Sequence, residues 1–155
     1  MHMVDQVRQW LGEIPDPEIP VLSILDLGIV RDVRQNSAGA VTVTITPTYS
    51  GCPAMDVIRE QIHSVLLAHG VPEVKVETVL SPAWTTDWIP EAARERLREY
   101  GIAPPSPLIQ IDAVVACPRC GSAATEMVSR FGSTACKSHY KCKTCLEPFD
   151  AFKRH

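Results

Sequence analysis

The sequence predicts an α+β protein: a small mixed sheet packed against helices, followed by a C-terminal module built around four cysteines. Three observations carry this. Val41, Val43 and Ile45 alternate with Thr42, Thr44 and Thr46, the period of two of a strand with one buried face. Met55, Ile58, Ile62, Val65 and Leu66 recur at helical spacing and make one apolar stripe. Cys117 and Cys120, with Cys142 and Cys145, form two Cys-x-x-Cys pairs separated by 21 residues, enough to bring four thiolates to one tetrahedral ion.

The elements follow in chain order. Val4, Val7, Trp10 and Leu11 space an amphipathic helix that Pro15 and Pro17 stop. DPEIPVLSILDLGIVRDVRQ begins as a proline-constrained loop and becomes extended around Ile29 to Val33. Asn36 to Gly39 reads as a turn, so this segment and the alternating Val/Thr run form a hairpin. The apolar stripe predicts a helix over 53–69, closed by Gly70, and VKVETV, residues 74–79, a third strand. EAARERLREY predicts a charged helix ending at Tyr100. Prolines 104, 105 and 107 then mark a stiff linker, so the expected domains are 1–100, a linker at 101–109, and 110–155. About 45 residues is near the lower limit for folding by apolar burial alone, so the last domain needs its ion.

Of the 155 residues, 45% are hydrophobic and 21% charged, which suits a packed core rather than disorder. IPVLSILDLGIV is too short, and carries Asp26, for a membrane span. Asp5 and the lack of an apolar core near the N-terminus argue against export, so a cytoplasmic location is expected. In a reducing compartment, paired cysteines hold metal more often than they form disulfides. Charge is uneven: residues 1–109 carry 8 Lys/Arg against 14 Asp/Glu, net −6, and residues 110–155 carry 7 against 4, net +3. Four thiolates around one dication add −2 to the tail, which leaves no concentrated basic face and argues against nucleic acid.

The four cysteines read as a structural zinc ribbon, since closed four-thiolate sites are structural. A rubredoxin-like carrier with one iron has the same ligand set, and the spacing does not separate zinc from iron. Gly121 can adopt the positive φ that turns amides toward the sulfurs; the second knuckle lacks that glycine and has Lys141 and Lys143 nearby. Cys136 is a fifth tail cysteine, able to replace a ligand or lie outside the site, and His139 reads as exposed. Pro53 suits the first position of a helix, which places Cys52 at its N-cap, where the dipole stabilises a thiolate. Cys52 is then a nucleophile or metal ligand, or else a buried capping residue. Asp16 and Glu18 flank Pro17 on a rigid turn, and from spacing alone they read as solvated loop residues or helix caps rather than as chemical groups. No base adjoins Cys52 to support a thiol enzyme. Trp84 and Trp88 suit an interface or a cover over the sheet.

DPEIPVLSILDLGIV, TPTYSGCPAM and SPAWTTDWI, followed by a four-cysteine module containing FGSTACK and CLEPFDAFK, resemble the PaaD family of phenylacetyl-CoA epoxidase accessory subunits. The first part is similar to the wider group of SufT-like and MIP-type iron-sulfur assembly factors. The resemblance implies a non-catalytic role in maturing a multicomponent monooxygenase of aerobic phenylacetate degradation, by aiding iron or iron-sulfur insertion. It implies epoxidase components as partners, above all the iron-sulfur reductase. It places the family's reactive cysteine at Cys52 and its acidic motif at Asp16 and Glu18, with Cys117, Cys120, Cys142 and Cys145 as ribbon ligands. A transient cluster on Cys52 would need ligands from a second copy or a partner, which a homodimer would supply.

Overall fold

A computed structural model describes residues 3–48, 54–106 and 114–154. The chain forms two compact units, Met1–Trp84 and Thr85–His155.

The first unit contains helix α1 (Met3–Leu11), strands β1 (Val30–Gln35) and β2 (Val41–Ile45), helix α2 (Ala54–Ala68) and strand β3 (Val74–Thr78). The sheet is mixed, as expected: β1 pairs antiparallel with β2, and β2 pairs parallel with β3, in the order β1-β2-β3. The hairpin turn is held by Asn36, whose Oδ1 accepts from the N–H groups of Ala38 and Ala40, both at 3.0 Å; Gly39 supplies φ 87°. α2 supplies the crossover that a parallel pair requires. It buries Met55, Ile58, Ile62 and Leu66. At its end Gly70 takes φ 89°, and the Val71 N–H donates to Leu66 O, the Schellman arrangement expected of a glycine there.

Two features depart from simple alternation. Thr44 and Thr46 are buried along with Val41, Val43 and Ile45, because β2 is the central strand and its far end is covered on both sides. The segment from residue 14 to 29 is irregular yet contributes Ile14, Ile19, Leu22, Ile24, Leu27 and Ile29 to the core. Its backbone is satisfied internally, by Asp16 N–H to Leu22 O at 2.9 Å and Ile24 N–H to Ile14 O at 3.0 Å, and by Trp84, whose indole N–H donates to Leu27 O at 2.6 Å. Trp84 is buried as a cover on this segment, whereas Trp88, of the second unit, is 36% exposed.

The second unit begins with a short 3-10 turn, Thr86–Trp88, then helix α3 (Glu91–Tyr100), strand β4 (Ile102–Ala103), and strands β5 (Thr125–Ser129), β6 (Lys137–Cys142) and β7 (Pro148–Phe152). Its sheet runs β4-β7-β6-β5, with β4 parallel to β7 and the other pairs antiparallel. Arg94 on α3 ties the unit's entry together by donating to three main-chain carbonyls, those of Thr86, Ile89 and Pro105. The partition differs from the one the prolines suggest. α3 belongs to the same unit as the cysteines, and Ile102–Ala103, read as linker, is a buried strand. Pro104 and Pro105 follow that strand directly.

Candidate metal centre

The two Cys-x-x-Cys pairs lie on matching turns. In the first, Cys117 N–H donates to Ser122 O at 2.9 Å; in the second, Cys142 N–H donates to Glu147 O at 3.0 Å. Inside these turns Arg119 N–H points at Cys117 Sγ and Cys145 N–H at Cys142 Sγ, each at 3.4 Å. The Ser122 and Thr144 hydroxyls join one turn to the other at 2.8 Å. Gly121 takes φ 77°, as its type suggests. The position after the second pair is Leu146, and it takes φ 66°. The second knuckle therefore repeats the backbone of the first without its glycine, a correspondence that aligning CPRCG with CKTCL would have exposed. Left-handed geometry costs a non-glycine residue roughly 1–2 kcal/mol, and Leu146 is 65% exposed, so packing returns little of it. Leu146→Gly should raise stability by about 0.5–1 kcal/mol after the extra chain entropy of glycine is counted, measured by thermal melting of the metal-bound protein. A lowered melting temperature would mean that the leucine side chain packs favourably.

The four sulfurs all lie within 4.8 Å of one another, with Cys117 Sγ to Cys145 Sγ at 3.8 Å and Cys120 Sγ to Cys142 Sγ at 3.5 Å. Bonds of about 2.3 Å to a tetrahedral ion put sulfurs about 3.8 Å apart, so the donor set fits zinc, and iron equally. Cys117 and Cys142 are buried, Cys145 is half-buried and Cys120 is exposed. The thiols are electrostatically unequal. The Cys145 backbone N–H holds Cys142 down to about 6, against the opposing effect of burial. Cys145 is pulled down by the Glu147 backbone, but burial and the thiols of Cys142, Cys117 and Cys120 outweigh this and push it to about 12. Cys142 is thus the readier of the two to give up its proton to an incoming ion, and Cys145 the more reluctant.

Two other tail residues resolve plainly. Cys136 precedes β6 while Cys142 ends it, a separation of about 20 Å along an extended strand, so Cys136 does not replace a ligand. It is buried beside the Thr134 hydroxyl, 2.9 Å away. His139 Nδ1 lies 3.7 Å from Asp150 and is not among the ligands. Lys143 pairs with Glu126 at 3.8 Å, and Lys141 faces Glu126 across β5 and β6, so both lysines have a carboxylate partner close by.

In the first unit, Asp16 is buried and its Oδ1 accepts from Glu18 N–H at 2.8 Å and Ile19 N–H at 2.9 Å. Asp16 is thus a buried, loop-organising carboxylate and not a solvated one, because its oxygen is turned inward onto two backbone N–H groups; Glu18 beside it is half-buried. Cys52, with Gly51 and Pro53, lies outside the described residues; α2 is described from Ala54. No helix among the described residues is long and apolar enough to cross a membrane.

An α+β unit of this topology, followed by a four-thiolate site, defines the class: a small α+β domain carrying a metal-binding ribbon. Residues 4–81 match the iron-sulfur cluster assembly protein family, and residues 103–153 match the PaaD zinc beta ribbon domain. The chain is 52% identical over 153 residues to a protein of Escherichia coli named as a putative subunit of 1,2-phenylacetyl-CoA epoxidase, covering 97% of this chain and 92% of that one. An Fe-S protein maturation auxiliary factor of Porphyromonas gingivalis is 38% identical over 90 residues, 57% of this chain and 85% of its own. Among solved structures, a domain of unknown function from Bacillus anthracis matches with a TM-score of 0.58 at 28% identity, over 61% of this chain and 90% of its own. A conserved hypothetical protein of Thermotoga maritima matches at 0.54 and 27%, over 62% and 94%. The chain belongs to the PaaD family, with an iron-sulfur assembly domain as its first part.

Proposed function

We propose that this protein is a non-catalytic maturation factor for a multicomponent phenylacetyl-CoA epoxidase, acting in the cytoplasm to help insert iron or an iron-sulfur cluster into a partner component, with the iron-sulfur reductase as the preferred client. The observation that carries this is the union, in one chain, of an assembly-family domain at 4–81 with the ribbon at 103–153, a pairing shared nearly end to end with the epoxidase subunit of Escherichia coli. In this reading Cys52 is the soft thiolate that receives the cargo, and the rest of the coordination comes from a partner or a second copy. Asp16 sets the turn, and Glu18 supplies a carboxylate beside it. The ribbon carries structural zinc and serves recognition.

The reading is tested in cells that make the epoxidase but lack this chain. The purified epoxidase should keep its subunits and lose most of its iron and its activity. Full iron content and full activity would overturn the proposal.

A further inference from the structure

Recognition by the ribbon needs a surface, and one face of the second sheet supplies a candidate. A groove of about 270 Å³ crosses the sheet from Met127 on β5, over Tyr140 on β6, to Pro104 and Pro105 after β4. Met127 and Tyr140 are register partners and so share that face. Met127 is 50% exposed, and its flexible thioether suits a surface that adapts to an incoming side chain. Tyr140 is fixed by stacking on Phe149, with ring centroids 5.7 Å apart.

Among the described residues, the charged ones that line the groove are Lys153 and Arg154. Lys153 Nζ is 4.7 Å from the Phe131 ring centroid, which holds one cation in place. The tail as a whole, residues 110–155, is close to neutral once a four-thiolate zinc site adds −2 to its net +3, so the positive charge that matters here is the local pair Lys153 and Arg154. The volume is below that of most small-molecule sites and suits one or two side chains, not a packed helix.

We propose that this groove takes a short extended segment of a partner protein that carries an apolar side chain followed by carboxylates. The apolar group sits on Met127 and Tyr140 against the proline wall, and the acids meet Lys153 and Arg154. This rests on the function proposed above, since it gives the ribbon's docking role a location and a partner chemistry.

The test uses the full, metal-loaded chain and purified phenylacetyl-CoA epoxidase components as probes, with affinity measured at low and high salt. Met127→Glu, at an exposed position, should weaken binding at least ten-fold. The pair Lys153→Glu and Arg154→Glu should do the same and flatten the salt dependence. Lys75→Glu with Arg96→Glu, the same charge change at exposed positions outside the groove, should stay within two-fold of wild type. Unchanged affinity for the groove variants overturns the proposal. Lower melting temperatures with unchanged affinity would mean that the groove is filled from within the chain, and loss of a dimer with unchanged affinity would mean that a second copy fills it; either overturns the proposal while the maturation role stands. Failure of the wild-type chain to bind any component would overturn the maturation reading itself.

Discussion

Stripping the ion with a chelator should unfold residues 114–154 while leaving the first unit folded. The buried cluster of the ribbon consists of Ala103, Cys117, Cys142, Phe149 and Ala151, so two of its five members are ligands. That apolar surface is too small to offset the chain entropy of some 40 residues, whereas structural zinc binds with an apparent 10–16 kcal/mol, roughly, at neutral pH. Cys142→Ser should act like the chelator, because the lost ligand is also a core residue at 0% exposure. Hydrogen exchange resolves the two units: amides of β5, β6 and β7 should lose protection, and those of β1, β2 and β3 should keep it. Intact protection in β6 and β7 after metal removal would show that the ribbon stands on packing alone. Acid should reproduce the effect, since protons compete with the ion for all four sulfurs.

The second large effect concerns the acidic turn. Asp16→Ala should destabilise the first unit by about 2–3 kcal/mol, because the change leaves the Glu18 and Ile19 N–H groups without their acceptor beside a buried backbone. Asp16→Asn keeps an acceptor at Oδ1 and should retain most of the stability. Denaturant unfolding followed by far-ultraviolet circular dichroism measures both. If alanine proved as stable as wild type, the carboxylate would not be what holds the turn. An asparagine variant that folds well but fails to support maturation would place the negative charge itself in the chemistry.

Much of this molecule was legible in its sequence because the informative residues obey local rules. The alternation of Val and Thr at 41–46 and the stripe from Met55 to Leu66 both reflect which side of an element meets the core, and two Cys-x-x-Cys pairs leave little freedom in what they build. The segment from Ile14 to Ile29 was harder. It buries six aliphatic residues with no fixed period, and only tertiary packing, including the long-range hydrogen bond from Trp84, explains its path. The grouping of α3 is less legible for a related reason. A charged helix next to a proline run reads as the end of a domain, yet buried Ala93 and Leu97 and the reach of Arg94 to Pro105 tie it to the ribbon. Leu146 was hidden because propensity argues against leucine at positive φ, and the metal turn overrides propensity. The functional assignment of Cys52 comes from its neighbours in sequence and from the family, a source independent of the described geometry.

Cluster transfer to the apo reductase component of the epoxidase is therefore the most direct measurement. Under anaerobic conditions, wild-type protein supplied with iron and sulfide should restore the reductase's visible absorption and electron-transfer activity. Cys52→Ala should bind the same component with unchanged affinity and restore it at least ten-fold more slowly. Equal rates for the two proteins would contradict the account.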